Sequence, residues 1–203
     1  MPVISALFWD IGGVILTNAW DHSERLRTLN HFLLADAEFQ DRHEMVVSSF
    51  ERGKITLDEY LDRTVFYRER SFSREAFKDD MFSQSEPDPE SLALAQELAN
   101  SSKYLMSTIN NESKELNLFR IEKFKLGEIF SLFVSSCFVG LRKPEADIYK
   151  LALAVTQKPP QQCCFIDDRA LNLECAKQLG MHVIQKQSAG QLRKDLERLG
   201  VGA

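Results

Sequence analysis

From Pro89 to its C-terminus the sequence alternates between amphipathic stretches and short apolar runs, and that alternation restricts the fold more than any other feature. A helix over Glu90–Asn100 precedes a strand at Lys103–Thr108, and a helix over Leu116–Phe124 precedes a strand at Leu132–Ser136. A helix opened by Pro144 leads to a strand at Cys163–Asp167, one ending at Gly180 leads to His182–Gln185, and Leu192–Leu199 forms the last helix. Continuously apolar strands joined by helices predict a parallel sheet covered on both faces. Val3–Trp9 is a further buried strand, ending at Asp10 and followed by a tight turn at Gly12 and Gly13.

Between that first strand and Pro87 the alternation is missing. Phe39, His43, Val46, Val47 and Phe50 share one face of a helix, with His43 read as packed core. Gly53 breaks that helix, Thr56 caps the next, and Leu57, Tyr60, Leu61, Thr64 and Val65 form its inward stripe. A short helix fits Arg74–Ser83. The expectation is an α/β chain with a Rossmann-like open parallel sheet over residues 1–16 and 86–203, and an all-helical insertion over residues 17–85. A length of 203 residues with 44% hydrophobic and 27% charged residues suits one folded unit carrying an insertion.

A net charge of −5 argues against nucleic-acid and membrane-surface partners, which select for a basic face. No apolar run reaches the roughly 18 residues of a membrane span, and no basic stretch precedes the first apolar segment, so a cytoplasmic location is expected. Cys137, Cys163, Cys164 and Cys175 lack metal-site spacing and are read as reduced thiols.

Ligands of open parallel sheets bind beyond the carboxyl ends of the strands. Asp10, Thr108 and the pair Asp167–Asp168 stand at such ends, and Lys143 is presented from the loop before Pro144. Ser107 is the alternative to Thr108; the following Asn110 and Asn111 favour Thr108. An aspartate, ionised at neutral pH, can attack phosphorus unaided if repulsion from the phosphate is relieved. A hard divalent cation held by Asp10 and Asp168 would relieve it, with Asp167 as support, Lys143 as a point charge and Thr108 as a donor to the transferring oxygens.

The segments LFWDIGGVI, LMSTINN, GLRKPEADIY and CFIDDRALN resemble, in order and spacing, the four motifs of the haloacid dehalogenase superfamily, over nearly the whole chain. Within it the chain looks most like the small sugar-phosphate phosphatases and the epoxide hydrolase N-terminal phosphatase domain. The resemblance implies that residues 17–85 are a helical cap, and that Asp10 is the nucleophile. It also implies Mg²⁺ held by Asp10, Asp168 and the carbonyl of Gly12, with Thr108 and Lys143 catalytic and Asp167 and Asn110 supporting. The implied partner is a small-molecule phosphate ester, bound by a monomer or homodimer.

One position departs from the family. Its phosphatases usually carry a second aspartate two residues after the nucleophile, as acid and base, and here that residue is Gly12. Loss of such a group is worth about 10²–10⁴-fold. Either the leaving group departs readily or the cap supplies the proton, with His22 and Asp21 as candidates. The competing functions are a metal-independent dehalogenase, a catalytically weak binder of phosphometabolites, and a signalling receiver; the late position of Asp167–Asp168 disfavours the receiver.

Overall fold

The computed structural model describes residues 3–202. Its five strands are β1 (Ala6–Trp9), β2 (Leu105–Asn110), β3 (Leu132–Ser135), β4 (Cys163–Asp167) and β5 (His182–Gln185). They form one parallel sheet in the order β3-β2-β1-β4-β5. The chain starts in the middle, builds outward on one side, then returns to build the other. Asp10 therefore leaves β1 at the point where strand order reverses, where such sheets open a crevice.

Alternate residues of β1 point to opposite faces. Leu7 and Trp9 pack with Leu94 and Leu98 of α5 (Pro89–Asn100) and with Leu192 and Leu196 of α10 (Ala189–Arg198). Ala6 and Phe8 pack with Ile148 and Ala152 of α8 (Ala146–Thr156) and with Leu173 and Ala176 of α9 (Ala170–Gln178). The sheet is thus buried on both sides, which is why its strands are continuously apolar. Two further helices, α6 (Lys114–Lys123) and the short α7 (Ser136–Val139), flank β3.

The segment between β1 and α5 folds as α1 (His22–His31), α2 (Asp36–Glu51), α3 (Leu57–Thr64) and α4 (Arg74–Ser83). It is built on an aromatic-rich cluster, in which Phe50 stacks on Tyr60 with ring centroids 4.0 Å apart, that also takes in Leu116 and Phe119 of α6. Thr56 and Glu59 form a reciprocal capping box at the start of α3. Where the segment leaves and rejoins the sheet, Thr17 N–H donates to Glu86 O at 2.8 Å and Asp88 N–H to Ile15 O at 2.9 Å.

Several boundaries differ from expectation. β1 begins at Ala6, because Val3 lies exposed beyond the sheet. β2 lies two residues further along than expected and runs through Asn110, whose buried amide finds partners in Asn117 and Ser135. α8 begins at Ala146, since Pro144 sits in a turn that Glu145 N–H closes onto Arg142 O. Among the described residues no helix is long and apolar enough to cross a membrane.

Candidate active site

Asp10 ends β1, Asp167 ends β4, and Lys143 reaches between them from the loop before α8. The ammonium lies 2.8 Å from Asp10 Oδ2 and 2.6 Å from Asp167 Oδ2, and all three side chains are buried. Asp167 is saturated: Arg169 N–H and Asn172 Nδ2 also donate to it. Asp10 Oδ1 accepts only its neighbour's N–H, from Ile11 at 2.8 Å. Burial pushes the Asp10 carboxyl up to about 7, with Lys143 opposing and Asp167 and Asp168 adding to the rise. That rise works against the ionised form, which Lys143 favours, and a further cation beside Asp10 would favour it more.

The third carboxylate is suited to that cation. One oxygen each from Asp10, Asp167 and Asp168 lie within 4.8 Å of one another. Asp168 Oδ1 is buried without a hydrogen-bond partner, while Oδ2 accepts a long bond from Asn18 at 3.4 Å. A buried carboxylate oxygen left unpaired is costly, and hard oxygen donors of this kind suit Mg²⁺. Gly13 makes room for Asp168: its φ is +71°, and a Cβ there would lie 2.2 Å from Asp168 Oδ2.

Beyond these groups opens a cavity of about 400 Å³ between the sheet ends and the helical segment. Asn111 lines it and pairs with both backbone groups of Lys143, accepting from N–H at 2.8 Å and donating to O at 2.9 Å. The loop that aims Lys143 is fixed by this one side chain. Glu112 and Arg120 form a buried pair at 3.0 Å on the same wall, and burial raises the Glu112 carboxyl to about 7 against the pull of Arg120.

The structure brings Asp10, Gly12, Lys143, Asp167 and Asp168 together, and it brings Asp21 to the cavity, paired with Arg169 at 2.7 Å. It does not bring Thr108 there. Because β2 runs on past it, Thr108 stands opposite Trp9, one level below Asp10, buried with its hydroxyl 3.4 Å from Asn110 Oδ1. Ser107 is likewise buried, bonded to Leu132 O. Asn110 ties β2 to its neighbours rather than facing the cavity. His22 is exposed and contacts Gln40, outside the cavity. His43, expected in the core, is buried but also forms cavity wall. Asn111 was legible as a polar residue just past a strand, but Asn18, Arg25 and Arg120 carry no such signal, because each is placed only by tertiary packing.

A sequence profile of haloacid dehalogenase-like hydrolases matches residues 4–180. The chain is 33% identical over 160 residues to flavin mononucleotide hydrolase 1 of Arabidopsis thaliana, a stretch covering 79% of this chain and 64% of that protein. It is 33% identical over 75 residues to bifunctional epoxide hydrolase 2 of Rattus norvegicus, covering 37% of this chain and 14% of that protein. The chain thus spans less than two thirds of the length of these relatives. A HAD family enzyme from Bacteroides thetaiotaomicron superposes with a TM-score of 0.78 at 21% identity, covering 97% of this chain and 99% of that one. The same enzyme in complex with magnesium and inorganic phosphate gives 0.75 at 22% identity, covering 92% and 96%.

Proposed function

The chain belongs to the haloacid dehalogenase-like hydrolases, and from that premise we propose that it is a Mg²⁺-dependent phosphatase of small phosphorylated metabolites, working through an aspartyl-phosphate on Asp10. The observation that carries this reading is the clustering of one oxygen each from Asp10, Asp167 and Asp168 within 4.8 Å of one another, with a single buried ammonium bridging the first two and one oxygen of Asp168 unpaired. Three carboxylates so close make sense where a cation offsets them. A dehalogenase displacing halide from carbon has no such need. The phosphate complex of the Bacteroides enzyme and the flavin mononucleotide hydrolase relative support the same class.

The ion would be held by the carboxylates of Asp10 and Asp168 and the carbonyl of Gly12, and when bound it supplies charge neutralisation for nucleophile and phosphate together. Asp10 forms a bond to phosphorus as the ester oxygen leaves with the bonding pair. Lys143, held by Asn111 and Asp167, keeps a positive charge beside the attacking oxygen and the phosphoryl group. Water then attacks the aspartyl-phosphate, releasing inorganic phosphate and returning Asp10 to its carboxylate.

Gly12 offers no side chain to protonate the leaving oxygen, so esters with stable leaving groups, such as sugar-1-phosphates, acyl phosphates and aryl phosphates, are the expected substrates. Of the two residues expected as a cap acid, His22 and Asp21, Asp21 is the one in the cavity wall, paired there with Arg169. Residues 17–85 act as the cap that selects among substrates.

A panel of phosphate esters assayed with and without Mg²⁺ tests the reading, together with Asp10→Asn and mass spectrometry of protein quenched during turnover. A phosphoryl group on Asp10 and loss of turnover in Asp10→Asn are expected. Phosphate release that survives in Asp10→Asn, or halide release from a 2-haloacid without Mg²⁺, overturns it.

A further inference from the structure

Five cations line the cavity: Arg25, Arg120, Arg142, Lys143 and Arg169. Four are matched by carboxylates, Arg120 by Glu112, Arg142 by Glu51 at 2.9 Å, Arg169 by Asp21, and Lys143 by Asp10 and Asp167. Arg25 is not. Among the described residues no carboxylate stands within ion-pair distance of its guanidinium. Nη1 donates to Trp20 O at 2.6 Å and Nη2 to Gln40 Oε1 at 3.2 Å, while Nε is buried with no partner. The residue is only 8% exposed. Its neighbour Glu24 is engaged by Ser23 and Arg27 instead. A buried charge served only by neutral acceptors is costly to the fold, and a ligand anion would complete it.

A second donor stands in the same wall. Trp20 Nε1 donates to the Tyr60 hydroxyl at 3.0 Å, and that hydroxyl lies 2.8 Å from His43 Nδ1. An indole N–H can only donate, and the arrangement that leaves no buried donor unpaired sends the hydroxyl's proton to His43 Nδ1 and puts the imidazole proton on Nε2. Trp20 and Phe50 supply the apolar part of the wall.

We infer that this wall binds a second anionic group on the substrate, a carboxylate or a second phosphate carried by the leaving group, with Arg25 as the specificity-determining residue and His43 Nε2–H as an added donor. The inference rests on the phosphatase reading and narrows it: the substrate is a phosphorylated acid or a bisphosphorylated small molecule. Arg25 belongs to α1, whereas Asp10 and Lys143 belong to the sheet ends, so the two anionic groups of one ligand would bind on opposite components of the cavity.

Calorimetric titration of the full chain with Mg²⁺ tests this, using non-hydrolysable ligands of one length: propylphosphonate, 3-phosphonopropionate and propane-1,3-diphosphonate. Wild type should bind at least one of the two ligands that carry a second anionic group about tenfold or more tighter than propylphosphonate, and whichever gains more identifies the second group as carboxylate or phosphate. Arg25→Met should bring the ratio close to one, and Arg25→Lys should keep part of it. The wild-type ratio and Arg25→Lys decide the matter if Arg25→Met does not fold. Propylphosphonate binding with no gain from a second anion, or a gain that Arg25→Met leaves intact, overturns this inference alone. Failure of all three ligands and of inorganic phosphate to bind overturns the phosphatase reading with it.

Discussion

A Cβ placed on Gly12 would lie 2.8 Å from Asn18 Oδ1: the space in which an aspartate side chain would start is occupied by the asparagine. An aspartate at position 12 would therefore require the Asn18 side chain to move. Gly12→Asp alone should leave turnover of a poor leaving group, such as an alkyl phosphate, unchanged or lower. Gly12→Asp with Asn18→Gly should raise it by about 10–10²-fold, part of what an acid–base group is worth. Steady-state rates on matched alkyl and aryl phosphates check this; a gain from Gly12→Asp alone would show that Asn18 yields freely.

Lys143→Met leaves Asp10 and Asp167 facing each other in a buried site with no cation between them. A fall of about 10²–10³-fold in kcat is expected. Destabilisation should approach about 3–5 kcal/mol at pH 8 and shrink toward pH 5, where Asp10, already raised by burial, can take up a proton. Urea melts at the two pH values measure it.

Arg120→Met removes the partner of the buried Glu112 and the donor to Thr17 O. The expected cost is about 3 kcal/mol at pH 8, again smaller in acid, because Glu112 is already raised by burial and becomes neutral there. Arg120→Met with Glu112→Gln should recover part of the loss. Chemical denaturation of both variants is the check.

Burial, with Arg25 adding to it, drives the His43 imidazole down to about 3 from its ordinary 6.5. Between those values the unfolded chain binds a proton that the folded chain refuses, so stability from this group is full above 6.5 and is lost as pH falls. From pH 7 to 5 the loss is roughly 2 kcal/mol, or about 4–8 °C in Tm for a chain of this size. His43→Gln should flatten that part of the Tm profile.

How far the sequence disclosed this molecule depends on whether local or long-range forces place a residue. Strands β4 and β5 and helix α4 lie where their apolar periodicity puts them, since each is bounded by local punctuation. β2 does not, because Asn110 resembles a turn residue until Asn117 on the following helix and Ser135 on the neighbouring strand supply its partners. The same slip carried Thr108 to the strand end on paper and left it buried opposite Trp9 in the fold. Asp10, Lys143 and Asp167 could be singled out because each follows a strand, whereas Arg25 sits mid-helix among polar residues, like any solvated arginine.

The hydrogen bonds joining Thr17 to Glu86 and Ile15 to Asp88 bring the two stalks of the helical segment side by side. Removing everything between them would leave two chain ends already touching, ready to be spliced by a residue or two without rerouting any strand. The helical segment thus enters and leaves the sheet at one place, and on the proposed reading a lineage could exchange one such segment for another while the reacting groups beneath kept their places.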